Sequence, residues 1–202
     1  MNHFTYYQLF PLMLTSSFLQ MTDEQNMYVK DYLSGLESEE AGFSSKNKFI
    51  LNDKKLSFFR DIIMNEFNDF KNSIMQFNDT TFEMTTSWFT ETPKEHFSDF
   101  HNHSNSMFSG VFYFDDSSDI EFRDFSTRQF YVVPNKYNDF NCDAYTIQPK
   151  KNMIIFFDSR LYHKVTVNNL DKTRYSLAFN VIPTSDINLG DSQICFKLDL
   201  DK

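Results

Sequence analysis

The hydrophobic period of this chain changes once, near Asn78, and that change limits its architecture more than any other feature. Before it, apolar residues recur at helical spacing. Thr22-x-x-Gln25 is a capping-box pattern and Gly35 suits a C-terminal cap, so Thr22 to Gly35 is predicted helical. Tyr28, Val29, Tyr32, Leu33 and Leu36 then share one face. Ser38 to Asn47 is polar and aperiodic, which predicts a loop. A longer helix is predicted over about 54–77, with Phe59, Ile62, Ile63, Phe67, Phe70 and Ile74 as a stripe that packs against a sheet.

After Asn78 the period is two. Phe82, Met84 and Trp88 alternate with Thr81, Glu83, Thr85 and Ser87. Strand character recurs at Val111 to Phe114, Ile120 to Phe125, Gln129 to Val133, Tyr145 to Ile147 and Met153 to Phe157. It continues at His163 to Val167, Arg174 to Ile182 and Ile194 to Leu200. Short strands separated by Asn, Asp and Pro turns indicate a mainly β fold with N-terminal helices, a sandwich or jelly roll. The length of 202 residues favours one domain, with 1–78 as helical support and 79–202 as the β core.

Charge narrows the function. The net charge is -9, and a face that neutralises phosphates needs clustered Lys and Arg. Lys54-Lys55 and Lys150-Lys151 are isolated pairs in acidic surroundings, so nucleic acid and anionic lipid are not expected partners. The apolar run Leu9 to Leu14 is too short to span a bilayer, and no Lys or Arg precedes it as in a signal peptide. Cys142 and Cys195 are singletons without the spacing of a thiolate zinc site. A reduced, cytoplasmic protein is expected.

Three of the five histidines (His3, His96, His101, His103, His163) carry a chemical signal. His101-Asn102-His103 puts two imidazoles on one side of an extended backbone, where they can grip one ion. His163 opens a strand after the apolar run Met153 to Phe157, the place of a third ligand in a facial triad. Alone, the same residues read equally as surface or core histidines. Arg174 adds weight. By strand period it shares a face with Ser176, Ala178 and Asn180, while Tyr175, Leu177, Phe179 and Val181 form the core face. An inward Arg needs an anion, and a carboxylate gripped by the guanidinium and the Ser176 hydroxyl supplies one. The alternative is an outward Arg174 that meets water. Trp88 reads as a core aromatic by its place in the alternation, with the substrate mouth as the alternative. Ser104 to Ser109 is a second candidate for that mouth. His96 is expected in an exposed loop, and His3 near the terminus without a role.

The runs His101 to Phe114 and Phe157 to Asn180 resemble the Fe(II)/2-oxoglutarate-dependent oxygenases. They are most similar to a group in marine bacteria and their phages with the signature H-x-H-x-N-S-x-x-S-G-V-Y-Y. Here it stands as His101-Asn102-His103-Ser104-Asn105-Ser106-Met107-Phe108-Ser109-Gly110-Val111-Phe112-Tyr113. A second signature stands as His163 and Arg174-Tyr175-Ser176-Leu177-Ala178-Phe179-Asn180. The resemblance spans Phe82 to about Ile182. It implies a double-stranded β-helix (jelly roll, cupin-like) with Fe(II) near its open end. By position, His101, His103 and His163 would ligate the metal. Arg174 and Ser176 would bind the distal carboxylate of 2-oxoglutarate, and Tyr113 would donate its hydroxyl to it. The implied reaction uses O2 and hydroxylates an unknown small molecule or protein side chain while 2-oxoglutarate becomes succinate. A phage-encoded member would work in the host cytoplasm. Many relatives have Asp or Glu as second ligand where this chain has His103. Three neutral ligands leave the site one unit more positive, which the 2-oxoglutarate dianion partly offsets. Asp99 precedes His101, the wrong order for that ligand.

Two other readings compete. One is a three-His jelly-roll dioxygenase that binds its substrate directly to the metal without 2-oxoglutarate. The other is a non-catalytic β-sandwich that binds a carboxylated or sugar ligand.

Overall fold

Helix gives way to sheet where the period changes. Residues 5, 7, 11–39, 43–77, 79–126, 130, 132–184, 186–187 and 190–195 are described in the computed structural model. Their order is β1 (Leu14–Phe18), α1 (Asp23–Ser34), α2 (Ser57–Phe70), β2 (Phe82–Thr92), β3 (Phe108–Tyr113) and β4 (Ile120–Arg123). There follow β5 (Ala144–Ile147), β6 (Met153–Asp158), β7 (Tyr162–Val165), β8 (Arg174–Pro183), β9 (Asp186–Ile187) and β10 (Ile194–Cys195). A five-stranded sheet runs β1-β6-β3-β8-β2 and a three-stranded sheet β5-β4-β7, while β9 pairs with β10; every pairing is antiparallel. His3, Leu9, Phe10 and residues 196–200 of the last predicted strand lie outside the described residues. So do Gln129 and Tyr131 of the predicted strand Gln129 to Val133, whose described residues Phe130, Val132 and Val133 are not in a strand.

The capping box of α1 forms in both directions: the Thr22 hydroxyl accepts from the Gln25 N–H, and the Gln25 side chain accepts from the Thr22 N–H. Val29 and Leu33 are buried by the helix, whereas Tyr28 is turned half outward. The second predicted helix is subdivided. Lys54–Leu56 is a 3-10 turn, Ser57–Phe70 is α-helical and Lys71–Met75 is π-helical. Phe59, Ile63, Phe67 and Phe70 face the core as expected. The wider π turn then carries Ile74 outward and brings Met75 to the core instead.

Two apolar layers result. One joins α1 and α2 to the five-stranded sheet, where the Phe67 ring lies 5.5 Å from Phe82 and 5.7 Å from Phe156. The other lies between the sheets, with Val111, Tyr113, Ile155 and Phe157 facing Ile120 and Phe122. Gly110 sits opposite Phe179, whose ring is so close that a Cβ would come within 2.2 Å of it. Any side chain there would displace the ring.

Two expectations are corrected by the backbone. β1, with the sequence LTSSF, gives no alternating signal, yet it pairs with β6 from Leu14↔Phe157 to Phe18↔Met153. The segment before residue 79 therefore adds a strand as well as helices. In β2, a bulge between Met84 and Thr86 shifts the register against β8. Phe82 and Met84 before it, and Ser87 and Phe89 after it, are buried on the helix side. Trp88 is thereby moved off the core face that simple alternation assigned to it.

Candidate active site

Between the two sheets lies a cavity of about 350 Å3. β2 contributes Trp88, Thr90 and Thr92, β3 contributes Val111 and Tyr113, and β8 contributes Arg174, Ser176 and Ala178. The facing sheet supplies Ile120, His163 and Val165, and the segment between β2 and β3 supplies His101 and His103. All six sequence-selected residues meet in this one cavity. A larger depression of about 680 Å3 lies near Phe100 and Tyr162. It contains no histidine, and its cations are paired, Arg123 with Glu121 and Arg160 with Asp158. The smaller cavity holds the chemistry.

His101 and His163 are joined by an antiparallel bridge in which each backbone N–H donates to the other's carbonyl, at 3.0 and 2.9 Å. His103 is held by donation of its backbone N–H to the Ser159 carbonyl, 3.0 Å. Ligand-capable atoms of the three imidazoles all lie within 4.8 Å of one another, so the group can hold a metal ion. A carbonyl only accepts, which fixes two tautomers. His101 Nδ1 donates to the Asp99 carbonyl at 2.8 Å, and His163 Nδ1 donates to the Leu161 carbonyl at 3.0 Å. Their Nε2 lone pairs are thus free for an ion. Burial lowers His163 to about 3 and His103 to about 4. Both rings are neutral at pH 7, the state in which imidazole ligates.

Arg174 begins β8 opposite Thr92 and is only 3% exposed. Its Nε and Nη1 are buried without hydrogen-bond partners, and so is the Tyr113 hydroxyl. The guanidinium carbon sits 5.8 Å from the Tyr113 ring centroid, and Tyr113 pairs with Ser176 across the β3–β8 ladder. Burial pushes the Tyr113 phenol up to about 12, so it remains a donor. An unpaired buried guanidinium is costly, and native structures rarely leave one so. Two free N–H groups beside a free hydroxyl fit a carboxylate, which accepts several hydrogen bonds at once.

Residues 86–180, which include all six of these side chains, match the family model described as "Putative 2OG-Fe(II) oxygenase". The match covers just under half of the chain, the part that carries β2 to β8. Solved structures share the chain's fold. HygX from Streptomyces hygroscopicus, with nickel and 2-oxoglutarate bound, is 10% identical over 85% of this chain and 83% of its own, with a TM-score of 0.61. The carbocyclase SnoK of nogalamycin biosynthesis is 10% identical over 86% and 80%, with a TM-score of 0.60. The viral collagen prolyl hydroxylase of Paramecium bursaria Chlorella virus-1, in complex with 2-oxoglutarate, is 11% identical over 83% and 94%, with a TM-score of 0.53. No curated protein matches the sequence.

One turn braces two of the histidines. Within Asp158 to Leu161, the Ser159 carbonyl holds the His103 backbone and the Leu161 carbonyl holds the His163 ring. Asp158 closes the turn by accepting from the Arg160 N–H and guanidinium at 2.6–2.9 Å. The Ser159 hydroxyl is buried against Ser109, 2.8 Å away; Ser109 donates to Asn180, and Asn180 donates to Thr86. A polar chain thus ties the turn to three strands of the larger sheet.

The cavity wall corrects two expectations. Trp88 is at the cavity, its ring 5.5 Å from that of His103. Ser104 to Ser109 is absent from the lining: Ser106 donates to the Phe108 and Val181 carbonyls and Ser109 joins the buried chain. Sequence reasoning missed Phe43 and Ser44. The predicted loop runs beside β2, with Ser44 bridged to Thr90 and the Ser45 N–H donating to the Phe89 carbonyl, so it extends the wall. His96 is exposed, as expected, and its ring meets Phe43 edge to face at 4.5 Å. Among the described residues no helix is long and apolar enough to cross a membrane.

Proposed function

We propose that His101, His103 and His163 hold Fe(II), and that Arg174, Ser176 and Tyr113 bind the distal carboxylate of 2-oxoglutarate. On this reading the protein is a cytoplasmic enzyme that hydroxylates an unidentified small molecule or protein side chain. The two sheets form a double-stranded β-helix drawn mainly from residues 79–202 and extended by β1, with α1 and α2 as support, within a single domain. The observation that carries the reading is the buried Arg174, with two N–H groups lacking partners, in the cavity that holds the three histidines.

Bound Fe(II) supplies the oxygen activation that couples decarboxylation of 2-oxoglutarate to oxidation of a substrate C–H bond. The chain's own residues do the rest. The Asp99 and Leu161 carbonyls keep the Nδ1 protons in place, leaving neutral imidazoles directed at the ion. Because all three ligands are neutral, the dianionic co-substrate contributes the negative charge of the site. The Arg174 fork fixes the far carboxylate, and Tyr113 and Ser176 complete its hydrogen bonds.

The test is stoichiometry under a panel of candidate substrates. Oxygen uptake that requires both Fe(II) and 2-oxoglutarate, with one succinate released per O2, is the expected result. Uptake that ignores 2-oxoglutarate would transfer the case to a three-His dioxygenase that binds its substrate at the metal. Absence of stoichiometric metal after anaerobic purification would favour a binding protein.

A further inference from the structure

Apart from the six residues proposed to hold iron and 2-oxoglutarate, the lining of the cavity is uniform in chemistry. It includes the rings of Phe43, Trp88 and Phe97, and its polar groups are the hydroxyls of Ser44, Thr90, Thr92 and Ser98. Among the described lining residues, Arg174 is the one charged side chain apart from the histidines. Trp88 reaches the histidine end, while Phe97 is 57% exposed and stands at the mouth.

The space is small. A cavity of about 350 Å3 is near the lower bound of small-molecule sites, and it must house an ion, the co-substrate and the reacting group together. Only a fragment of any larger substrate enters. A charged fragment would give up water for a wall with no counter-charge. An ammonium group would gain the ring faces but meet the metal and Arg174. A carboxylate or phosphate would be drawn to Arg174, which the co-substrate occupies. Hydroxyls, by contrast, donate or accept without charge, and aromatic faces accept planar or C–H-rich groups.

We propose that the reacting group enters this cavity uncharged, as a neutral ring or neutral side chain, while the charged parts of the substrate stay outside. The inference takes its boundary from the proposed iron and 2-oxoglutarate positions. It excludes a free amino acid bound whole and a phosphorylated group as the reacting moiety.

Trp88 is the chain's one tryptophan, so its fluorescence reports occupancy of this wall without a label. The full chain is loaded with Zn(II), which takes the same imidazole donors, and saturated with 2-oxoglutarate. It is then titrated at neutral pH with benzyl alcohol, benzoate and benzylamine, one ring in three charge states. Benzyl alcohol is expected to give a saturable change with a Kd at least tenfold below the other two. Equal or tighter binding of benzoate or benzylamine, or no saturable change with any probe, overturns the proposal. Thr90→Lys is expected to turn the preference towards benzoate, and an unchanged order in that variant also counts against it. Without 2-oxoglutarate, benzoate is expected to bind at Arg174 and be displaced by 2-oxoglutarate. Failure of that displacement overturns the co-substrate assignment and leaves the neutral-wall result to be judged by the alcohol.

Discussion

The two faces of β8 are buried almost equally, and their burial has opposite energetic signs. On the helix side Leu177, Phe179 and Val181 are fully covered by apolar neighbours. Each such side chain contributes roughly 1.5–3 kcal/mol to stability. On the cavity side Arg174 and Ser176 are 3% and 4% exposed, yet two guanidinium N–H groups lack partners. Leaving a buried polar group unsatisfied costs roughly 1–3 kcal/mol. Burial alone therefore does not separate core from site; the state of the polar atoms does. The cavity face costs stability while those groups lack partners, and the apolar face offsets that cost.

Substitutions on this one strand should break the symmetry of burial. The largest effect belongs to the apolar face. Phe179→Ala should lose about 3–5 kcal/mol in denaturant unfolding, because the ring fills the space over Gly110. Arg174→Met keeps the stem and removes the charge, so metal-free stability should hold or rise, by up to about 1–3 kcal/mol. Calorimetry on that variant should show 2-oxoglutarate affinity falling by at least about a hundredfold, roughly 2.7 kcal/mol. A loss of stability comparable to that of Phe179→Ala would mean that Arg174 is a structural residue.

A milder change sharpens the same point. Arg174→Lys keeps the charge and loses the fork, which should weaken 2-oxoglutarate about ten- to a hundredfold, or about 1.5–3 kcal/mol, with metal affinity unchanged. The smallest effect is expected away from β8. Ser159→Ala removes the hydroxyl that meets Ser109 and should cost about 0.5–1.5 kcal/mol. Because the Ser159 carbonyl holds His103, metal titration should show a several-fold loss of affinity and an undisturbed unfolding transition shape. Unchanged metal affinity would show that the buried polar chain serves the fold alone.

The contrast between faces also explains what the sequence made legible. Alternation from Arg174 to Val181 runs without interruption, so it assigns both faces of β8 correctly. In β2 the same rule fails past Met84, because a bulge changes which residues share a face and leaves no mark on composition. Ile74 is misplaced for a parallel reason: a π turn has more residues than the α turn that the stripe assumed. β1 is hidden because LTSSF has no alternation to read, and Phe43 because a loop's contribution depends on the path it takes over β2. Histidine type and spacing were enough to select the metal-capable group. The carbonyls that set its tautomers, on Asp99 and Leu161, are backbone atoms to which side-chain pattern is blind.

The central claim is that one cavity brings three imidazoles and one guanidinium to a metal and a 2-oxo diacid. Titration of the anaerobic Fe(II) protein with 2-oxoglutarate, followed by visible charge-transfer absorption, tests it most directly. The account expects a band that saturates at one equivalent, vanishes in His163→Ala and persists with a higher midpoint in Arg174→Lys. A parent protein without the band, a His163→Ala variant that keeps it, or an unmoved midpoint in Arg174→Lys would contradict the account.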